Sequence, residues 1–83
     1  SSTRVRVDTP RPAAAAAVLH QLGTPEPDIR PGGVVAELGS VASEDVTEAL
    51  VRAGVPVRQL VVEQPDLEEL FVELTGEGFD VDQ

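Results

Sequence analysis

The 83-residue chain contains no cysteine, lysine, methionine, tryptophan or tyrosine, and it has one histidine. Without cysteine it forms no disulfide, no thiolate metal site and no thiol nucleophile. A single histidine excludes a His-rich zinc site. The phosphate-binding loop G-x-x-x-x-G-K-[ST] requires lysine, so these 83 residues cannot contain one.

The charge balance and the apolar runs exclude further classes. Fifteen acidic residues against six arginines give a net charge of −9, which argues against nucleic acid or an anionic membrane surface as a partner. The longest apolar run, Ala13 to Leu19, is far shorter than the roughly 20 residues that span a bilayer. The sequence does not begin with basic residues followed by a long apolar region, so we do not expect a signal peptide. We therefore expect one small domain with a modest core and no membrane insertion.

Hydrophobic periodicity predicts six elements in the order strand, helix, strand, strand, helix, strand. The strands are predicted at 3–7, 28–30, 34–38 and 55–63, and the helices at 10–22 and 44–53, with Thr9 and Ser43 as their N-caps and Gly23 and Gly54 closing them. The second strand has the weakest pattern because prolines surround it. This order predicts an α+β fold, the ferredoxin-like βαββαβ two-layer sandwich, with both helices on one face of an antiparallel sheet.

A third helix is predicted over residues 65–76, outside the six-element sandwich. Leu67, Leu70, Phe71 and Leu74 fall at i, i+3, i+4 and i+7 and form one apolar stripe, which Phe71 dominates by size. We expect the stripe to pack on the chain's own sheet, on a neighbouring domain or on a second copy. Residues 1–76 are thus predicted to be a single α+β domain, and residues 77–83 an acidic, flexible tail.

The candidate interaction residues combine this stripe with three arginines. If Arg4 and Arg6 point to the helix-free face of the sheet, near Arg58 on an adjacent strand, that face is expected to be basic. The acidic third helix or an acidic partner would then lie across it, with exposed ion pairs setting orientation more than affinity. The candidates are Arg4, Arg6, Arg58, Leu67, Leu70, Phe71 and Leu74. We predict no catalytic, cofactor-binding or metal-binding residue, since His20 has no suitably spaced partner.

Two segments carry a family resemblance. The stretches GVPVRQL at 54–60 and PDLEELFVELTG at 65–76 resemble the end of bacterial ABC transporter ATP-binding subunits. The resemblance is to the drug-efflux type related to daunorubicin-resistance ATPases, in which a small domain follows the nucleotide-binding domain. The closing signature of that family runs proline, a small polar residue, leucine, two acids, an aliphatic residue and phenylalanine, then leucine, threonine and glycine. Asp66 departs from it in the small polar position.

The resemblance implies a fragment of a longer chain, with a regulatory or assembly role and no enzymatic activity of its own. ATP and Mg are expected in the parent chain, and no cofactor in this fragment. The implied partners are the parent nucleotide-binding domain, a second ATPase subunit or the transporter membrane subunit. The implied location is cytoplasmic, peripheral to the inner face of the cell membrane. Two alternatives stay open from the residues: an ACT-like small-molecule sensor with the same βαββαβ layout, and a free-standing acidic interaction module.

Overall fold

The computed structural model describes residues 3–64, which form a four-stranded antiparallel sheet and two helices. The elements are β1 (Arg4–Asp8), α1 (Pro12–Leu22), β2 (Asp28–Arg30), β3 (Gly33–Glu37), α2 (Ser43–Arg52) and β4 (Gln59–Glu63). The strands lie in the order β2-β3-β1-β4, and every neighbouring pair is antiparallel. The α+β class and the predicted order of these six elements are confirmed, including the short β2. The helix predicted at 65–76 and the tail at 77–83 lie outside the described residues.

The two faces of the sheet differ sharply in burial. Val5 and Val7 of β1 are fully buried and lie opposite Ala36 and Val34 of β3. Arg4, Arg6 and the half-buried Asp8 alternate with them and point to the other side. Because successive side chains of a strand point to opposite faces, this pattern places the core on one face only.

The helices supply the second layer of the core. Ala15 and Leu19 of α1 and Val46 and Leu50 of α2 are fully inaccessible to solvent and belong to one cluster with the buried valines of the sheet. Each buried leucine or valine contributes about 2 kcal/mol relative to an exposed one. Cα atoms of α1 come within 8 Å of those of β3, an approach that the small alanine side chains of the helix permit.

The start of α1 differs from the prediction. The helix begins at Pro12, two residues later than expected, and its N-cap is Arg11 without a side-chain cap. Thr9 is fully buried, and its backbone N–H donates to the carbonyl of Gly32 at 3.0 Å, extending the sheet. Its hydroxyl accepts a hydrogen bond from the N–H of Arg11 at 3.0 Å. Thr9 therefore stabilises the turn between strand and helix and does not cap the helix.

Two further boundaries differ around α2 and β4. Ser43 is the first helical residue and Ala42 the N-cap, and the hydroxyl of Ser43 donates to the carboxylate of Glu44 at 3.3 Å, so its predicted capping role is wrong. The last strand begins at Gln59 and not at Val55. The N–H of Val55 donates to the carbonyl of Leu50 at 3.0 Å, which closes the helix end. Pro56 follows and has no N–H to donate to a ladder.

Candidate functional site

The face of the sheet that neither α1 nor α2 covers, termed the helix-free face, carries Arg4 and Arg6 of β1. Arg4 and Arg6 of β1 both reach Glu63 of β4, with Nη2 of Arg4 at 3.8 Å from Oε1 and Nη2 of Arg6 at 3.6 Å from Oε2. Both arginine side chains are about half exposed. Exposed ion pairs of this length contribute at most about 1 kcal/mol each, so their main effect is to orient the side chains.

The charge of this face is mixed, which corrects the expectation of a basic surface. Glu37 lies opposite Arg4 in β3, and Arg30 of β2 forms an ion pair with Asp28 at 3.0 Å. From strand register and alternation, the charged residues of this face are Arg4, Arg6, Arg30, Asp8, Asp28, Glu37 and Glu63. Acidic side chains outnumber the arginines because β2, β3 and β4 each contribute at least one carboxylate beside the arginines of β1. An acidic helix would therefore meet neighbouring carboxylates here, and electrostatics alone does not favour that contact.

The three predicted arginines do not form one cluster. Arg58 precedes β4, is exposed, and its backbone N–H donates to the carbonyl of Asp8 at 2.8 Å. Asp8 lies at the opposite end of β1 from Arg4. Arg58 is therefore separated from Arg4 along the sheet by most of a strand, roughly 13 Å. The apolar candidates Leu67, Leu70, Phe71 and Leu74 lie outside the described residues.

Two valines flank Arg6 in the middle of the same face. Val35 of β3 and Val61 of β4 lie on either side of Arg6 in the register. Val35 is only 8% exposed although neither α1 nor α2 covers this side, and Val61 is half-buried. Long charged side chains on a sheet cover apolar neighbours with their aliphatic stems. Sequence reasoning missed both Val61 and the role of Glu63, although the period of two from Gln59 places Val61 and Glu63 on one side.

The described residues offer no arrangement typical of catalysis. His20 is exposed and lies in a shallow surface depression with Ala16, Ala17, Glu26 and Pro27. Across residues 3–64, no group of three His, Cys, Asp or Glu side chains is placed to hold a metal ion. Within the same range every buried side-chain nitrogen and oxygen has a hydrogen-bond partner. The surface of residues 3–64 therefore consists of ion-paired charged side chains and partly exposed apolar side chains.

A second apolar depression lies between the helices. Its lining comprises Val18, Gln21, Leu22, Ala49, Arg52 and Ala53. Val18 and Leu22 are half-buried and pack against the core cluster from α1. This depression between the helices therefore exposes part of the hydrophobic layer that joins α1 to α2.

Comparisons with known protein families, curated proteins and solved structures find no match to this chain. The resemblance to ABC transporter subunits therefore stands on the two segments quoted from the sequence. Within residues 3–64, no helix has both the length and the hydrophobicity needed to cross a bilayer.

Proposed function

We propose that this chain is a non-catalytic C-terminal regulatory or assembly domain of a bacterial ABC transporter ATP-binding protein. Its role is to couple ATPase subunits to each other or to the membrane subunit. The observation that carries this proposal is the segment PDLEELFVELTG at 65–76, placed directly after a small α+β domain. We also propose that the domain is ferredoxin-like, which is supported by the strand order β2-β3-β1-β4 with a single core face.

The distribution of charge supports a role for the C-terminal segment in recognition. Residues 3–64 contain all six arginines and eight of the fifteen acids, so their net charge is only −2. The other seven acids belong to residues 65–83, together with both phenylalanines. A partner that fits this composition has an apolar groove with arginine or lysine side chains at its rim.

The proposal assigns the chemistry to other parts of the transporter. The parent nucleotide-binding domain binds ATP and Mg, and this domain holds neither. The complex lies on the cytoplasmic side of the membrane, where the domain contacts its parent domain, a second ATPase subunit or the membrane subunit. The domain is then peripheral and reaches the membrane only through those proteins.

The first experiment measures the mass of the native protein that carries this domain. An antibody raised against residues 3–64 is used to isolate the protein, and its peptides are sequenced by mass spectrometry. We expect a band several times larger than 8.7 kDa whose upstream peptides include a phosphate-binding loop. A native band near 8.7 kDa contradicts the proposal and leaves the ACT-like sensor or the free-standing interaction module.

The second experiment tests the C-terminal segment through its largest side chain. We predict that Phe71→Ala in the parent ATPase weakens co-purification with its partner by about tenfold or more, since buried aromatic anchors dominate interface energies. Phe79→Ala is the matched control, because it removes the same side chain outside the signature. Arg4→Ala is expected to have a smaller effect, since Arg4 is exposed and shares its carboxylate with Arg6. Equal binding by Phe71→Ala and the unaltered protein contradicts the prediction.

A further inference from the structure

The two outer edges of the sheet differ in their protection against pairing with another strand. At one edge, β2 is only three residues long and lies between Pro27 and Pro31. Its Asp28 and Arg30 form an ion pair with each other. Short length, charged side chains and flanking prolines are the features by which proteins prevent edge-to-edge association.

At the other edge, β4 has fewer of these features, with Glu63 at its end as its one charged residue. It is five residues long and contains no proline, and its middle three residues are Leu60, Val61 and Val62. Among the described strands it pairs only with β1. Val62 lies on the helix-covered side of the sheet, opposite Val5, yet it is 41% exposed. The outer edge of β4 therefore has two features. Its backbone groups are not paired by any described strand, and the aliphatic side chain of Val62 is partly exposed.

The sequence of β4 is complementary to itself in the antiparallel direction. When two copies are aligned about Val61, Gln59 of one copy faces Glu63 of the other, and Leu60 faces Val62. The helix-covered side then carries the continuous row Val5, Val62, Leu60, Val7, in which the last two residues come from the second copy. Every member of this row is aliphatic, and cross-strand pairs of this kind stabilise a sheet.

We propose that β4 pairs antiparallel with β4 of a second copy of this chain, about a two-fold axis at Val61. The two sheets join into one of eight strands, and the helices of both copies lie on the same side. The outer edge of β4 gains backbone hydrogen bonds, and Val62 becomes covered by Leu60 of the other copy.

The charges on the helix-free side fit this arrangement. Across the new junction the amide of Gln59 donates to the carboxylate of Glu63 from the second copy, and no like charges are directly opposed. Inside each copy Glu63 already contacts Arg4 and Arg6, so its charge is partly compensated. The two copies still carry −9 each, and dimerisation is therefore expected to strengthen as salt is raised from about 0.01 M to about 0.15 M.

The register of the proposed pairing between the two copies of β4 is fixed by the alternation of side chains and by the length of the strand. A shift of one residue directs apolar side chains to the wrong face and is excluded. A shift of two residues keeps the faces but moves part of the five-residue strand beyond its partner. Alignment about Val61 is the register that pairs all five residues from Gln59 to Glu63.

The test uses the complete 83-residue chain in sedimentation velocity, over a concentration series up to about 1 mM, because pairing of five residues buries less than the ~1,200 Å² of a tight interface. We expect a reversible monomer–dimer equilibrium. Val61→Asp and Val61→Lys each weaken it about tenfold or more, since like charges then meet on the axis. An equimolar mixture of these two variants restores the dimer. The matched control, Ile29→Asp on the exposed edge strand β2, leaves the association unchanged.

Circular dichroism is used to check that each variant is folded. We expect Val61→Asp to be tolerated in the monomer because Arg6 is its neighbour in the register. Independently of any variant, amide hydrogen exchange of β4 in the unaltered chain slows as the concentration rises. A monomer throughout the series, an unweakened Val61→Asp dimer, no rescue on mixing, or concentration-independent exchange in β4 each overturns the inference. It rests on the β4 edge alone, so its failure leaves the role tested through Phe71 unaffected.

Discussion

Replacing Gly33 by alanine tests how closely β1 and β3 pack. A Cβ at Gly33 would overlap the carbonyl oxygen of Val7 and lie 3.3 Å from its carbonyl carbon and 3.5 Å from the Cα of Asp8. These are backbone atoms of the central strand, so no side-chain rotation relieves the overlap, and the strands must separate locally by about 1 Å. That separation breaks one or two ladder hydrogen bonds, each contributing about 1 kcal/mol, and adds about 1–2 kcal/mol of overpacking.

We therefore expect Gly33→Ala to lower the free energy of unfolding by about 3 kcal/mol, a large part of what a domain this small possesses. The melting temperature should fall by about 15 °C. Circular dichroism is the appropriate probe for urea and thermal unfolding, because the chain has no tryptophan or tyrosine.

The adjacent Gly32 provides the control for this prediction. Gly32 has a φ of +78°, and a Cβ there meets no atom within 4 Å. Alanine at Gly32 is therefore destabilising only through its left-handed backbone conformation, by about 1 kcal/mol. The two substitutions make the same chemical change at neighbouring positions and differ in physical cause. If Gly33→Ala is no more destabilising than Gly32→Ala, the result contradicts the described close contact between Gly33 and the backbone of β1.

Three further predictions concern the core, a buried hydrogen bond and the ion pairs. Leu19→Ala, at a fully buried position, should lower the free energy of unfolding in urea by about 3 kcal/mol. The control Val51→Ala, at a position 68% exposed, should change it by less than about 0.5 kcal/mol. Equal losses of stability in the two variants would contradict the described core. Thr24→Val removes the buried hydroxyl that donates to the carbonyl of Leu19 at 3.1 Å and should cost about 1 kcal/mol, measured the same way; no loss of stability would show that this bond contributes nothing. Glu63→Gln weakens both contacts to the β1 arginines and should cost less than about 1 kcal/mol, a loss that disappears in 1 M NaCl; a larger, salt-independent loss would mean that Glu63 has a structural role beyond ion pairing.

The secondary structure was largely predictable because local signals and the final fold agree. Alternation of Arg4, Val5, Arg6 and Val7 indicated a half-buried strand, and Gly23, at φ 103°, ends α1 as expected. The errors occurred where tertiary hydrogen bonds outweigh local preference. Threonine is a residue type that favours the N-cap position. The backbone N–H of Thr9, however, donates to the carbonyl of Gly32 across the sheet, and the helix therefore starts later.

The candidate site was less predictable than the fold, because a surface charge depends on which strands become neighbours. The sequence showed two arginines alternating with valines, and from that alone a basic face was a reasonable prediction. Sheet order places β3 and β4 on either side of β1 and thereby brings Glu37 and Glu63 to the same face. Those partners are separated from Arg4 by more than 30 residues, a distance over which no periodicity extends.

Composition and periodicity by themselves determined the α+β class, the order of the elements, the missing phosphate-binding loop and the concentration of acidic residues after residue 64. These properties depend on residue identity and on spacings of two to four residues, which one sequence displays directly. Only the tertiary structure decided that the helix-free face carries charges of both signs, that Gly33 is held against a backbone carbonyl, and that, among the strands of residues 3–64, β4 forms a less protected edge than β2. Each of these depends on the register between strands, which is fixed by the joint packing of both helices and all four strands.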